Sequence, residues 1–259
     1  MRTRSRSSRS IGSNRDLLLL RVGGNQLLVV SCDSAGGIGS KRHDIVRVHP
    51  QIVGKMTARV ALMELLAIGA DPISLACTLA VEPNPTGNQI VRGIMSEVQN
   101  AHFRNVQILC SSEKNMKVTQ TGVGVTGIGL VSIPNLKIGR CRPGDEVVAI
   151  GEPHVGYEVL VGEKNRRLAD TWDVCTVRTK PFVHETIPVG SRGILYEARI
   201  MAKGSNLSFR PIEPSQIDFK KSAGPATVLL CAIQKGSLRK VRETVIDKPT
   251  IVIGQLEAK

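Results

Sequence analysis

The sequence predicts an α+β protein of two domains joined near residue 140. Three observations carry this. Segments with strand alternation are interleaved with segments of helical periodicity, and no internal repeat organises them. A stretch rich in Pro, Gly and basic residues, PNLKIGRCRPGD at 134–145, has the composition of a linker. The 259 residues also exceed the ~150 of an average domain.

Residues 1–15 form a basic, Arg/Ser-rich tail, of which 1–13 are expected to be mobile. Asp16 opens a strand at 17–22, Gly23-Gly24-Asn25 makes the turn, and 26–32 returns as a second strand. The spacing of Ile52, Met56, Val60, Ala61, Leu65 and Ile68 predicts a helix over 51–70, stopped by Gly69-Ala70-Asp71-Pro72. Residues 73–81 alternate, with Ile73, Leu75, Cys77, Leu79 and Val81 on one face. Thr86 and Gln89 match a capping box that would start a second helix carrying Ile90, Ile94, Val98 and Ala101. Strands are expected at 105–110, 120–131 and 146–150, and helices from Gly156 and from Gly193 to Ala202. The C-terminal part reads as strand 227–233, a helix from Ser237, and strand 250–253.

Composition excludes several classes. With 41% hydrophobic residues the chain is not wholly disordered. Its longest aliphatic run, 17–20, is too short for a membrane span or a signal-peptide core. The net charge of +13 invites a nucleic-acid reading. However, Arg2, Arg4, Arg6, Arg9 and Arg15 all lie in the first fifteen positions, and only 3% of residues are aromatic, which leaves few platforms for stacking bases. The six cysteines, Cys32, Cys77, Cys110, Cys141, Cys175 and Cys231, form no CxxC pair. They read as reduced, mostly buried thiols of a cytoplasmic protein. The five histidines are scattered, without helical ligand spacing.

Neither a Walker A loop nor a GxSxG elbow is present. Gly122, Gly124 and Gly127 spell GxGxxG, but residues 128–131 continue as strand, so these glycines are read as aids to close packing. Carboxylates are the more informative feature. Asp33 ends an aliphatic strand before the glycine-rich turn Gly36-Gly37-Ile38-Gly39-Ser40-Lys41, and Glu113 follows the aliphatic residues 106–110. Glu64 stands alone among apolar residues on its helix, where a carboxylate is costly unless paired or metal-bound. Such acids, beside a glycine turn carrying Lys, could gather Mg²⁺ and a polyphosphate. Each acid taken singly is as well explained by an N-cap, a turn or a rim salt bridge.

Together these strings resemble the aminoimidazole ribonucleotide (AIR) synthase superfamily, which includes thiamine-monophosphate kinase, selenophosphate synthetase and a hydrogenase-maturation protein. The matching strings are VSCD with GGIGSK, ALMELLAIGADP, LCSSE, PGDEVV and IPVGSRG. Departures from the family pattern are Glu64 where Asp is usual, Ser111-Ser112 for a Gly-Gly pair, and only Asp16 of a Gly-Asp-Asp string. CDSAGGIGSK, VALMELLAIGADP, IPVGSRGILYEA and KSAGPATV look most like the α-ribazole kinase relatives.

The resemblance implies an N-terminal domain (16–138) that binds ATP and Mg²⁺, with strands forming a barrel across a homodimer. A C-terminal α+β domain (139–259) would close over a nucleoside-like substrate. It implies a kinase that transfers the γ-phosphate of ATP to a hydroxyl, with α-ribazole as first acceptor. A thiamine-monophosphate-kinase-like or ring-closing reaction is the alternative, and a basic nucleic-acid-binding protein is a third. By resemblance Asp16, Asp33, Glu64 and Glu113 would be Mg²⁺ ligands, and Asp33 and Lys41 catalytic. Gly36, Gly37, Gly39, Lys41, Glu113, Gly190, Ser191 and Gly193 would contact the nucleotide. The start of the helix at Gly193 would suit an anion.

Overall fold

The computed structural model describes residues 10–11, 15–212 and 217–259. The rest of the expected N-terminal tail lies outside the described residues. Within that tail, β1 (Ser10–Ile11) pairs with the following strand, and Arg15 is buried, so these residues belong to the fold.

The first sheet contains β2 (Leu17–Gly23), β3 (Gln26–Gly36), β6 (Asp71–Leu79), β7 (Gln107–Ser112) and β8 (Gly122–Ser132), in the order β1-β2-β3-β8-β6-β7. Two short strands, β4 (Ile38–Gly39) and β5 (Val46–Arg47), pair with each other beside it. The central pair β3–β8 runs in unbroken antiparallel register from Gln26 opposite Ser132 to Gly36 opposite Gly122. The strand therefore does not stop at Asp33, as expected from sequence. Instead, Asp33 sits inside β3 opposite Val125. In β6 a register shift between Pro72 and Ser74 turns Ile73 outward, off the face shared by Leu75, Cys77 and Leu79.

Helices α1 (Pro50–Ala67) and α2 (Asn88–Asn100) cover one face of this sheet. In α1 Pro50 occupies the first turn, where its missing N–H costs nothing, and Gly69 at φ +88° ends the segment. The Thr86–Gln89 capping box does not form. The Thr86 hydroxyl instead donates to Glu82 Oε1 at 2.5 Å, and Gly87 is the cap of α2. The two helices cross on glycine: a Cβ at Gly54 would lie 2.0 Å from Ile90 O, and one at Gly93 1.9 Å from Gln51 O. Helix propensity favours Ala over Gly by about 1 kcal/mol. The collision is with backbone, which no rotamer can relieve. Gly93→Ala is therefore expected to lower stability by at least the ~1–3 kcal/mol of core overpacking, read as a lower urea midpoint. A midpoint at or above wild type would show that the helices can separate freely.

The second sheet is antiparallel throughout, in the order β10-β12-β9-β13-β11. Its strands are β9 (Glu146–Gly151), β10 (Val183–Pro188), β11 (Leu207–Pro211), β12 (Val228–Ile233) and β13 (Thr250–Ala258). Four short or medium helices accompany it: α3 (Glu158–Lys164), α4 (Thr171–Val177), α5 (Gly193–Gly204) and α6 (Leu238–Thr244). β9 and β12 read as continuous aliphatic runs because both their faces are covered. Val147 and Ala149 pack with Ile194, Ala198 and Met201 of α5, whereas Val148 and Ile150 join the core that includes Leu62 and Leu66 of α1. Helix α1 is thus packed by the first sheet on one side and by β10 and α4 on the other. A helix buried on nearly every side reads as apolar all round, which is why a carboxylate within it is costly. Among the described residues no helix is long and apolar enough to cross a membrane.

Candidate functional site

The glycine turn after β3 is pinned from beneath. Asp44, buried, accepts from Lys41 N, Thr121 N and Thr121 Oγ1, each at 2.7 Å. Gly37 N donates to Thr121 O at 2.9 Å, so that donor is already spent. Gly39 has no room for a side chain, since its Cβ would lie 2.4 Å from Thr121 Oγ1. Lys41 Nζ is in an ion pair with Glu82, a residue the sequence reading did not single out. The turn is a rigid platform whose one ammonium is held by a carboxylate.

Beside it lies a cleft of about 320 Å³. Asp33, Ser34 and Gly36 of β3 form one edge, Ile52 and Met56 of α1 form the floor, and Val159 of α3 and Pro225 close the far side. The lining is aliphatic, and Asp33 is its only charged residue. Burial pushes the Asp33 carboxyl up to about 6, partly offset by the Ser34 N–H.

Four carboxylates share one field here. Glu64 on α1 is half-buried, and its carboxyl is pushed up to about 8. Burial is the main cause; Arg15 opposes it, and the charges of Glu197, Asp16 and Asp33 add to it. Glu197 on α5 is raised to about 7, mainly by burial and then by Asp16, against Arg15, Arg192 and the Gly190 N–H. Arg15, whose charge acts on both Glu64 and Glu197, donates to Thr186 O at 2.8 Å and pairs with buried Glu185. Carboxyls raised together by burial and by one another's charge fit a cation arriving from solution. Among the described residues no three His, Cys, Asp or Glu side chains converge closely enough to hold a metal by themselves. The arrangement suits a Mg²⁺ that brings phosphate oxygens as its remaining ligands.

The charges of Asp16, Asp33 and Glu197 all act on Glu64, whereas of the four only Asp33 lines the cleft. Glu113 stands apart. Cys110 lies in the same cross-strand row as Asp33, so Glu113 is three residues beyond that row and three strand spacings, about 14 Å, to the side. Its carboxylate accepts from Asn115 N at 2.7 Å and Met116 N at 3.1 Å. It lines a shallow pocket with Ser34, Gly122 and Gly124. Gly190, Ser191 and Gly193 lead into α5, and Gly193 at φ +78° lies too close to Phe219 O for any side chain. Two donors at this helix start are spent within the fold, Gly193 N on Gly190 O and Leu195 N on Phe219 O. Gly122, Gly124 and Gly127 all lie in β8, where a Cβ at Gly127 would strike Ser31 Oγ at 2.7 Å and Leu65 Cδ1 at 2.9 Å. They serve close packing, as read. Cys32, expected among buried thiols, is exposed on the uncovered sheet face.

Residues 14–131 match the family described as AIR synthase related protein, N-terminal domain. The chain has the AIR-synthase-like fold. Thiamine-monophosphate kinase from Stenotrophomonas maltophilia K279a superposes with a TM-score of 0.61 at 16% identity, covering 98% of this chain and 90% of that one. AaThiL, solved with AMPPCP and TMP, gives 0.61 at 14% identity, with 94% and 85% covered. The hydrogenase maturation protein HypE in complex with ATP gives 0.60 at 15%, with 95% and 80% covered. No curated protein sequence matches the chain significantly. In AIR-synthase-like terms, the match with the family spans β2 to β8, the part that carries Asp16, Asp33, Glu64 and the glycine turn.

Proposed function

We propose that the chain is an ATP- and Mg²⁺-dependent cytoplasmic enzyme that transfers a phosphoryl group to a hydroxyl. What supports this is the electrostatic field that Glu64 shares with Asp16, Asp33 and Glu197, with Asp33 the one charged residue on an otherwise aliphatic cleft. Phosphoryl transfer asks a protein mainly for positioning and neutralisation of phosphate charge. Mg²⁺, held by Asp16, Asp33 and Glu64 together with phosphate oxygens, would supply that neutralisation. Lys41 would exchange Glu82 for a phosphate, over a turn already rigid before the nucleotide arrives. Glu113 would act from the far strands on an extended nucleotide lying across the sheet end.

The acceptor is proposed to be an uncharged nucleoside-like alcohol, with α-ribazole the first candidate. No Lys, Arg or His lines the cleft to receive a second phosphate ester. In the proposed arrangement 16–138 binds nucleotide and dimerises, and 139–259 carries the substrate side. The sheet face away from α1 and α2 exposes Leu18, Ile73, Leu109 and Leu130, an apolar surface that a second copy would cover in a homodimer. The test is to incubate the purified chain with Mg-ATP and, separately, α-ribazole, thiamine monophosphate and formylglycinamidine ribonucleotide. ADP and phosphorylated product are expected with α-ribazole alone. Product from only the third would turn the reading to ring closure, and product from none would remove the kinase reading.

A further inference from the structure

The linker-like residues 134–145 left a cluster of basic residues that the proposed reaction does not use. In the fold they form one wall of a second cavity, of about 540 Å³, at the C-terminal end of α1. Lys137, Arg140 and Arg142 line this wall, and Arg178 and Lys180, from the loop after α4, line the other. Asp71 is the one carboxylate on the lining.

The anchoring of these cations matters more than their number. Arg140 donates from Nε to Leu136 O at 3.0 Å and from Nη2 to Pro134 O at 3.2 Å. Lys137 Nζ donates to Arg178 O. Arg178 donates to Ala70 O at 3.1 Å and to Asp71 Oδ1 at 2.8 Å. Carbonyls fix Lys137 and Arg140 in place without cancelling their formal charge, and Asp71 pairs with only one of the cations, Arg178, so a net positive field stays on the cavity. Among the described residues the side chains of Arg142 and Lys180 have no partner. Burial, and after it the charge of Arg178, holds the Lys137 ammonium below its ordinary range, as expected of crowded cations.

We infer that this cavity is a second anion site, separate from the carboxylate cluster, which binds a small multiply charged phosphate group such as a pyrophosphate or the phosphate end of a metabolite. The size is that of a small-molecule site. Its lining carries no Phe, Tyr or Trp, and its one ring, His184, is tied to Asp145 Oδ2 at 2.8 Å, so recognition rests on the phosphate. Several convergent guanidinium and ammonium donors match an anion with several oxygens better than a single carboxylate.

The test is titration calorimetry of the full chain with pyrophosphate in EDTA, where the carboxylate cluster has no metal to attract it. Inorganic phosphate and a short single-stranded RNA serve as comparison probes. Saturable pyrophosphate binding that weakens with added salt is expected, tighter than inorganic phosphate. Arg142→Glu with Lys180→Glu should weaken it at least tenfold. Arg142→Gln with Lys180→Gln should show the same direction, and neither pair removes a contact of the fold. Asp33→Asn should bind pyrophosphate as wild type does. Absence of saturable binding, or unchanged affinity in both double variants, would overturn the assignment. RNA bound more tightly than pyrophosphate through the same two residues would replace it with a nucleic-acid surface.

Discussion

Glu64→Gln is expected to reduce phosphoryl transfer by at least about 10²–10³-fold, the scale of losing one preorganised electrostatic group, while the fold stays intact. Gln keeps the shape of the protonated acid. With a carboxyl near 8, Glu64 is mostly protonated at pH 7 in the ligand-free protein, so the exchange removes little there. Stability should carry a signature of its own. The folded-state value lies above the ordinary 4.5, so between pH 4.5 and 8 the folded chain holds a proton that the unfolded chain has released. Wild type should therefore lose stability as pH rises through that window and level off above it. Glu64→Gln, which does not titrate, should gain on wild type from pH 5 to 8 in metal-free thermal melts. Mg-ATP should in turn pull the proton off Glu64, giving a heat of binding that depends on the buffer in wild type and less so in the variant. Wild-type turnover in Glu64→Gln would refute the metal assignment, and a flat stability difference would refute the burial argument.

The same helix shows what could be read in advance. Its apolar periodicity placed α1, and a lone acid within it marked Glu64 before any fold was known. Glu197 carries a weaker mark, an acid directly before buried Ala198 on a helix that also holds Arg199 and Lys203. Beside those basic residues it reads as an ordinary surface acid, and no local pattern separates it from one. The alternation of residues 26–32 and 120–131 was enough to find β3 and β8, and the glycines of β8 were correctly placed in strand. Arg15 was assigned to a tail because its partner, Glu185, is 170 residues away, and no local pattern announces such a pair. β10 was missed for a related reason: His184 and Glu185 break its aliphatic run, although Asp145 and Arg15 satisfy them in the fold. The outward turn of Ile73 depends on a bulge in the pairing with β8, which the sequence of β6 does not contain on its own. The basic cavity was legible only as composition, since its walls come from two segments that the fold brings together.

Arg59→Met is expected to be the most damaging single change to stability, by about 3–5 kcal/mol. Arg59 is 1% exposed in α1, and Glu97 of α2 is fully buried opposite it. The guanidinium donates from Nε to Glu97 Oε1 at 3.1 Å and from Nη2 to Glu97 Oε2 at 3.2 Å. Its other edge meets Glu163 of α3 at 2.8 and 2.9 Å. Glu97 also accepts from Thr171 Oγ1, at the first turn of α4, at 2.8 Å. Met fills most of the volume, so the cost is not a cavity. It is the Glu97 carboxylate left in the core without its cation, and that cost should shrink when the charge is removed as well. Arg59→Met with Glu97→Gln should therefore recover much of the loss in urea unfolding, because Gln still offers an oxygen to Thr171. Glu163 carries the smaller share. Burial raises its carboxyl, but Arg59 and then Lys55 bring it down to about 2, and water screens its side chain, which is 30% exposed. Because that value lies below the ordinary one, its contribution is present above about pH 4.5 and fades as pH falls toward 2. Glu163→Gln should accordingly lose less than Arg59→Met at pH 7 and converge with wild type in acid. A double variant no more stable than Arg59→Met would mean that the buried charge is not what the guanidinium neutralises, and that its packing across the four helices holds them together instead.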